Sequence, residues 1–132
     1  MSDWWKQAKG IMTHDHIQFQ QEVDSAGSDT IVIVDFFMPH CGYCVQFMPT
    51  WNKIVDEFKA DYGDKIKFVK VDGVADSVTS DRYGVESFPS FIYLEPGTHG
   101  KKWKQWEPSH RTFSGMKKWI SGFAKQYLTP IH

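Results

Sequence analysis

Thr30-Ile31-Val32-Ile33-Val34-Asp35-Phe36-Phe37-Met38-Pro39-His40-Cys41-Gly42-Tyr43-Cys44 decides how this chain folds. Thr30 to Phe37 is a short, nearly unbroken apolar run rich in β-branched side chains, the pattern of a central strand covered on both faces. From Cys41 onward the period changes. Cys44, Phe47, Met48, Trp51, Val55 and Phe58 recur at three-and-four spacing, which predicts an amphipathic helix. Pro49 lies inside it, has no N–H to donate, and is expected to kink it. The two cysteines therefore open a helix directly after a buried strand. Unpaired backbone N–H groups at a helix start carry partial positive charge, which favours thiolate over thiol. Cys44 follows Cys41 by about one helical turn. The two sulfurs can close a small disulfide ring and exchange two electrons while the scaffold stays put.

Working outward, Asp15 to Ala26 reads as a first helix with Phe19, Val23 and Ala26 on one face, ended by Gly27-Ser28-Asp29. Ile66 to Val71 is the next strand, and Ala75 to Tyr83 a short helix stopped at Gly84. Ser90 to Leu94 is a further strand. Glu95-Pro96-Gly97 turns it toward an antiparallel neighbour, Lys102 to Trp106. Phe113, Met116, Ile120, Phe123 and Tyr127 trace the apolar face of a last helix. This order predicts an α/β fold: a mixed central sheet, parallel first and antiparallel at the end, with helices on both faces. The domain spans 15–128, with an N-terminal extension at 1–14 and a short tail at 129–132.

A chain of 132 residues suits one domain with a sizeable core. Its formal net charge of −1 argues against a dedicated nucleic-acid or membrane-surface binder, which would carry a basic excess. Lys101-Lys102-Trp103-Lys104-Gln105-Trp106 could be read as a basic–aromatic patch. It is short, however, and puts Trp103 and Trp106 on opposite faces of a strand, so a hairpin with one core tryptophan fits better. No segment is long and apolar enough for a transmembrane helix. The N-terminal residues lack a signal-peptide layout, and Thr129-Pro130-Ile131-His132 carries no retention or prenylation signal. Taken as a complete chain, this predicts a cytoplasmic protein. Two cysteines so close together cannot staple a fold over distance, so redox chemistry or half a zinc site are the readings to weigh, with unrelated core thiols a third. Zinc would need two more ligands, and His14, His16, His40, His99, His110 and His132 contain no pair at zinc-finger spacing.

Val34-Asp35-Phe36-Phe37-Met38-Pro39-His40-Cys41-Gly42-Tyr43-Cys44, with Pro49 five residues on and Phe88-Pro89 ahead of a strand, resembles the thioredoxin superfamily from about Asp15 to Leu128. Asp35, six residues before the first cysteine, is similar to thioredoxin itself. Pro39 and His110-Arg111-Thr112 are similar to the domains of protein disulfide isomerases. Two departures stand out: His40 replaces the family's usual tryptophan, and Gly42-Tyr43 replaces Gly-Pro or Gly-His between the cysteines. The resemblance implies a thioredoxin-like fold and a thiol–disulfide oxidoreductase acting on protein or peptide substrates. No cofactor beyond the redox cysteines would be needed. Electrons would pass to or from a partner reductase, glutathione or an oxidase. If the chain is a domain of a longer disulfide isomerase, the resemblance implies the endoplasmic reticulum lumen instead of the cytoplasm.

Cys41 is the candidate nucleophile and, first on the helix, the expected more exposed sulfur; Cys44 is the resolving thiol. Asp35 shares a strand face with Ile33 and Phe37. If both faces are covered, desolvation raises its proton affinity and lets it accept the Cys44 proton, through a water. The plainer reading puts Asp35 at a solvated strand end. The resemblance makes Lys70 the charge partner of Asp35, though a lone strand lysine is ordinarily part of a solvated face. It also makes Phe88-Pro89 a cis bond, with Pro89 against the cysteines and Phe88 offering backbone to an extended substrate. An imidazolium at His40 would favour the Cys41 thiolate; the plainer alternative is a surface ring with only its edge near the sulfur. Arg111 is either a mobile assistant of the second thiol, as in isomerase domains, or a solvated charge. His40, Gly42, Tyr43, Phe88 and Pro89 are the candidate substrate contacts. Trp4 and Trp5 either pack on the first helix or form part of a partner surface. The competing class is a peptide-docking or chaperone module that keeps the two cysteines with little turnover.

Overall fold

The computed structural model describes residues 3–131. A five-stranded sheet is built from β1 (Ile11–Thr13), β2 (Ile31–Phe37), β3 (Ile66–Asp72), β4 (Ser90–Leu94) and β5 (Trp103–Gln105), in the order β1-β3-β2-β4-β5. β1 and β2 run parallel to β3, β4 pairs antiparallel with β2, and β5 pairs antiparallel with β4. Among the described residues, four α-helices pack on the sheet: α1 (His16–Asp24), α2 (Gly42–Tyr62), α3 (Ser77–Arg82) and α4 (Phe113–Tyr127). The mixed sheet and helices on both faces are as expected. Every residue of β2 is buried, as its lack of alternation implies.

Two hydrophobic layers flank the sheet. On one face α2 and α4 bring Phe47, Trp51, Ile54, Phe58, Met116 and Ile120 against Ile31, Ile33, Phe68, Phe91 and Tyr93. On the other, Phe19 and Val23 of α1, with Tyr83 after α3, meet Val32, Val34, Phe36, Val69, Val71 and Ile92. α2 stays helical through all 21 residues, Pro49 included. Trp106 is buried and Trp103 is 39 % exposed, so the β4–β5 hairpin does carry a single core tryptophan.

The structure departs from the sequence pattern in three places. The apolar period first emerges at Asp15, yet an edge strand precedes it within the segment read as an extension: Ile11–Thr13 pairs with Val69–Val71. Three residues that grade from exposed to buried display no period. Helix α3 is six residues long, shorter than the run from Ala75 to Tyr83, because Asp76 caps it by accepting from Thr79 N at 3.0 Å. Tyr127 extends the apolar stripe of α4 but is exposed, since its hydroxyl donates to Glu95 Oε1 at 2.8 Å.

Candidate active site

Cys41 is the N-cap of α2, in extended backbone (φ −138°, ψ 103°), and its Sγ accepts from Cys44 N at 3.1 Å. The chain passes from β2 to helix within four residues. This puts Cys41 where the sulfur meets the unpaired N–H groups of the first turn. Cys41 and Cys44 are joined by a disulfide, with their Cα atoms 5.2 Å apart. Both cysteines are buried, Cys41 at 5 % and Cys44 at 4 % exposed. Trp4 and Phe37 pack around the pair. Among the described residues, no group of three or more His, Cys, Asp or Glu is placed to hold a metal ion.

Phe88-Pro89 is a cis peptide, and Phe88 O lies 3.7 Å from Cys41 Sγ. The loop before β4 thus faces the disulfide directly. Pro89 is buried and Phe88 half-buried. Tyr43, between the cysteines, is 70 % exposed, and Gly42 and His40 are also at the surface. His40, Gly42, Tyr43, Phe88 and Pro89 therefore lie on the two segments that border the disulfide. Arg111 is exposed and donates from Nη2 to Pro89 O at 3.2 Å. That contact ties the start of α4 to the proline loop.

Beneath the disulfide lies the carboxyl. Asp35 is 8 % exposed, so the solvated-strand-end alternative does not hold. Its Oδ1 has no hydrogen-bond partner. Burial pushes its pKa up to about 7, against the opposing pull of Lys70. Asp35 and Lys70 are directly paired across β2 and β3. Lys70 is 5 % exposed, and burial lowers its pKa while Asp35 resists the change. Rather than bonding Asp35, its Nζ donates to Trp5 O at 2.9 Å and Ala8 O at 2.6 Å. Asp35 and Cys44 both line a cavity of about 10 Å³, with Trp4, Ala8, Pro89 and Phe91 among its walls. That is about the volume a single water needs. Much larger hollows, of about 740 and 600 Å³, lie elsewhere: one beside Arg82 and Trp103, the other at the start of β2 and β3.

The arrangement can do three things chemically. The helix start and Cys44 N can stabilise a thiolate on Cys41. A carboxyl that changes protonation near neutrality can take a proton from Cys44 across one water. The Phe88 carbonyl offers a backbone acceptor beside the reacting sulfur. What the sequence did not reveal is the place of Trp4 beside the cysteines: its Nε1 donates to Pro39 O at 2.8 Å and its ring packs edge-on against Phe37. Trp4 packs in one cluster with Phe37 and the two cysteines, and Trp5 packs against that cluster. The carbonyls of Trp5 and Ala8 leave no trace in the sequence, because every residue has one.

A family model described as Thioredoxin matches residues 10–120 of the chain. Human protein disulfide-isomerase A4 is 34 % identical over 93 residues, covering 70 % of this chain and 14 % of that protein. Thioredoxin from Bacillus subtilis is 34 % identical over 77 residues, covering 58 % of this chain and 70 % of that protein. The chain thus spans about one seventh of the disulfide isomerase's length and most of the thioredoxin's. Among solved structures, thioredoxin NaTrxh from Nicotiana alata superposes with a TM-score of 0.69 at 23 % identity, covering 88 % of this chain and 93 % of that one. The matched region takes in β1, both cysteines, Asp35, Lys70 and Pro89. With a disulfide at a helix start, a carboxyl beneath it and the same fold, the chain belongs to the thioredoxin family.

Proposed function

We propose that this domain exchanges thiols and disulfides on protein substrates, as an isomerase-type member of its family. The observation that carries the reading is the disulfide at the N-terminus of α2, set between a backbone acceptor at Phe88 and the buried Asp35. With the pair reduced, the Cys41 thiolate attacks a substrate disulfide. A mixed disulfide forms and one substrate sulfur leaves as thiolate. Asp35 takes the Cys44 proton through a water, and Cys44 attacks Cys41 Sγ. The second substrate sulfur leaves, the substrate has gained two electrons, and the Cys41–Cys44 disulfide has re-formed. Run in reverse, the same steps oxidise a dithiol. Phe88 and Pro89 hold the substrate backbone, and His40, Gly42 and Tyr43 border it. Lys70 moderates the charge on Asp35, and Arg111 reaches the proline loop. Pro39, Arg111 and the likeness to a disulfide isomerase domain favour the isomerase type over a general reductase.

Turnover of a protein disulfide by wild type and Cys41→Ser tests the enzyme reading. Turnover lost only in the variant supports it. An inactive wild type that binds peptide as well as Cys41→Ser does would instead mark a docking module. The reduction potential of the pair decides direction: about −180 mV suits an isomerase, and below about −250 mV a cytosolic reductant.

A further inference from the structure

The segment ahead of β1 is bolted to the redox site from two sides. A 3-10 turn, Trp4–Gln7, sets the Trp4 ring against Phe37 and the cysteines. From α2, Asn52 spans the segment: its Nδ2 donates to Gln7 O at 3.1 Å and its Oδ1 accepts from Lys9 N at 2.8 Å. Trp51 Nε1 donates to Lys9 O at 2.7 Å, and Lys9 pairs with Asp56. Held this way, the turn aims two carbonyls at one buried ammonium, that of Lys70. Those carbonyls use two of its three donors. Meanwhile Asp35, its cross-strand neighbour, keeps an oxygen with no partner. A buried acceptor beside a buried cation stays unbonded only where something else holds the cation.

We propose that the N-terminal turn is a positioning element of the redox site, which withholds the Lys70 ammonium from Asp35 through the Trp5 and Ala8 carbonyls and so leaves that carboxyl free to carry a proton. The catalytic consequence rests on the reading of Asp35 given above. The control of the carboxyl itself does not. If the turn lets go, Lys70 loses two acceptors while its cross-strand partner Asp35 offers an open oxygen, and water reaches the site past Trp4. Both changes favour the ionised carboxylate. The groups around Asp35 that carry charge or titrate are Lys70 from β3 and, once reduced, Cys44 from α2. The turn and β4 contribute Trp4, Ala8 and Phe91, which carry none.

The test is a carbon-13 NMR titration of the Asp35 carboxyl in the oxidised protein, where the cysteines do not titrate. Wild type is compared with Trp4→Ala and with Asn52→Ala, which loosens the turn from its far side. Each is made alone and with Lys70→Met. Both single variants should lower the Asp35 midpoint by about half a pH unit or more, since even a partial approach of a unit charge in a protein interior is worth that much. In the Lys70→Met background the same loosening should shift it less. An unchanged or raised midpoint overturns the proposal. So does an equal shift in both backgrounds, because the turn would then only exclude water. The pH profile of mixed-disulfide resolution in Asp35→Asn is measured alongside. If it equals wild type, the catalytic reading of Asp35 fails, while the titration still decides whether the turn governs the carboxyl.

Discussion

Asp35 is one carboxyl among apolar neighbours, and its burial follows from the sequence around it: Ile33, Val34, Phe36 and Phe37 leave no polar face on β2. A carboxyl pushed up to about 7 binds its proton more tightly folded than unfolded. Between pH about 4 and 7 the native chain keeps a proton that the unfolded chain has released, so this group makes stability fall as pH rises through that window. The cost is absent at lower pH and complete above it. Holding the carboxyl at about 7 rather than about 4 corresponds to about 4 kcal/mol, a figure that already contains the attraction to Lys70; burying an asparagine amide in its place offsets part of the gain. Asp35→Asn should therefore stabilise the oxidised protein by about 1–3 kcal/mol at pH 8 and by much less at pH 3.5. Urea unfolding at the two pH values measures this, and an equal gain at both would refute it. The neighbour that modulates Asp35 was legible only as a lysine at a plausible spacing. That Lys70 bonds Trp5 and Ala8 instead could not be read, since main-chain acceptors carry no residue signature.

Among the elements, the helices were legible where stripe and cap agree. Asp15 accepts from Gln18 N at 2.8 Å and Thr112 from Gly115 N at 3.0 Å, each a short polar side chain ahead of an apolar period. Thr112 also stands next to Arg111, whose guanidinium reaches Pro89 O. Thr112→Ala should cost about 1 kcal/mol in urea unfolding, as losing an N-cap acceptor generally does. A loss well under half of that would mean water replaces the cap without penalty. β1 escaped: it has three residues, no turn signal tying it to a neighbour, and is ordered by its pairing with β3, a contact about sixty residues distant along the chain. The mid-helix Pro49 lies within a continuous helical run, so it does not end α2.

Over the whole molecule, the redox site is where separate parts of the chain converge, and Gly73 shows how tightly. Its N–H donates to Phe37 O at the end of β2, and its carbonyl accepts from Ser80 Oγ of α3. A Cβ added there would lie 2.3 Å from the Phe88 ring and 2.9 Å from Ser80 Oγ. Gly73→Ala must displace Phe88, the residue facing Cys41. It should cost about 1–3 kcal/mol, as overpacking does, and slow disulfide exchange beyond what the lost stability explains. Unfolding and turnover of the same variant check this, and normal turnover in a destabilised variant would show that Phe88 is not positioned through Gly73. The sequence by itself determined the reaction centre and the layering of the domain. Both are local facts: two cysteines at a helix start, an apolar run on each side of Asp35, and periods of two or 3.6 residues are set by near neighbours. Only the tertiary structure decided that the segment before β1 packs beside the cysteines through Trp4 and that Lys70 bonds the Trp5 and Ala8 carbonyls. Those outcomes depend on which backbone groups meet across a fold, and the closure of long loops brings them together irrespective of side-chain identity.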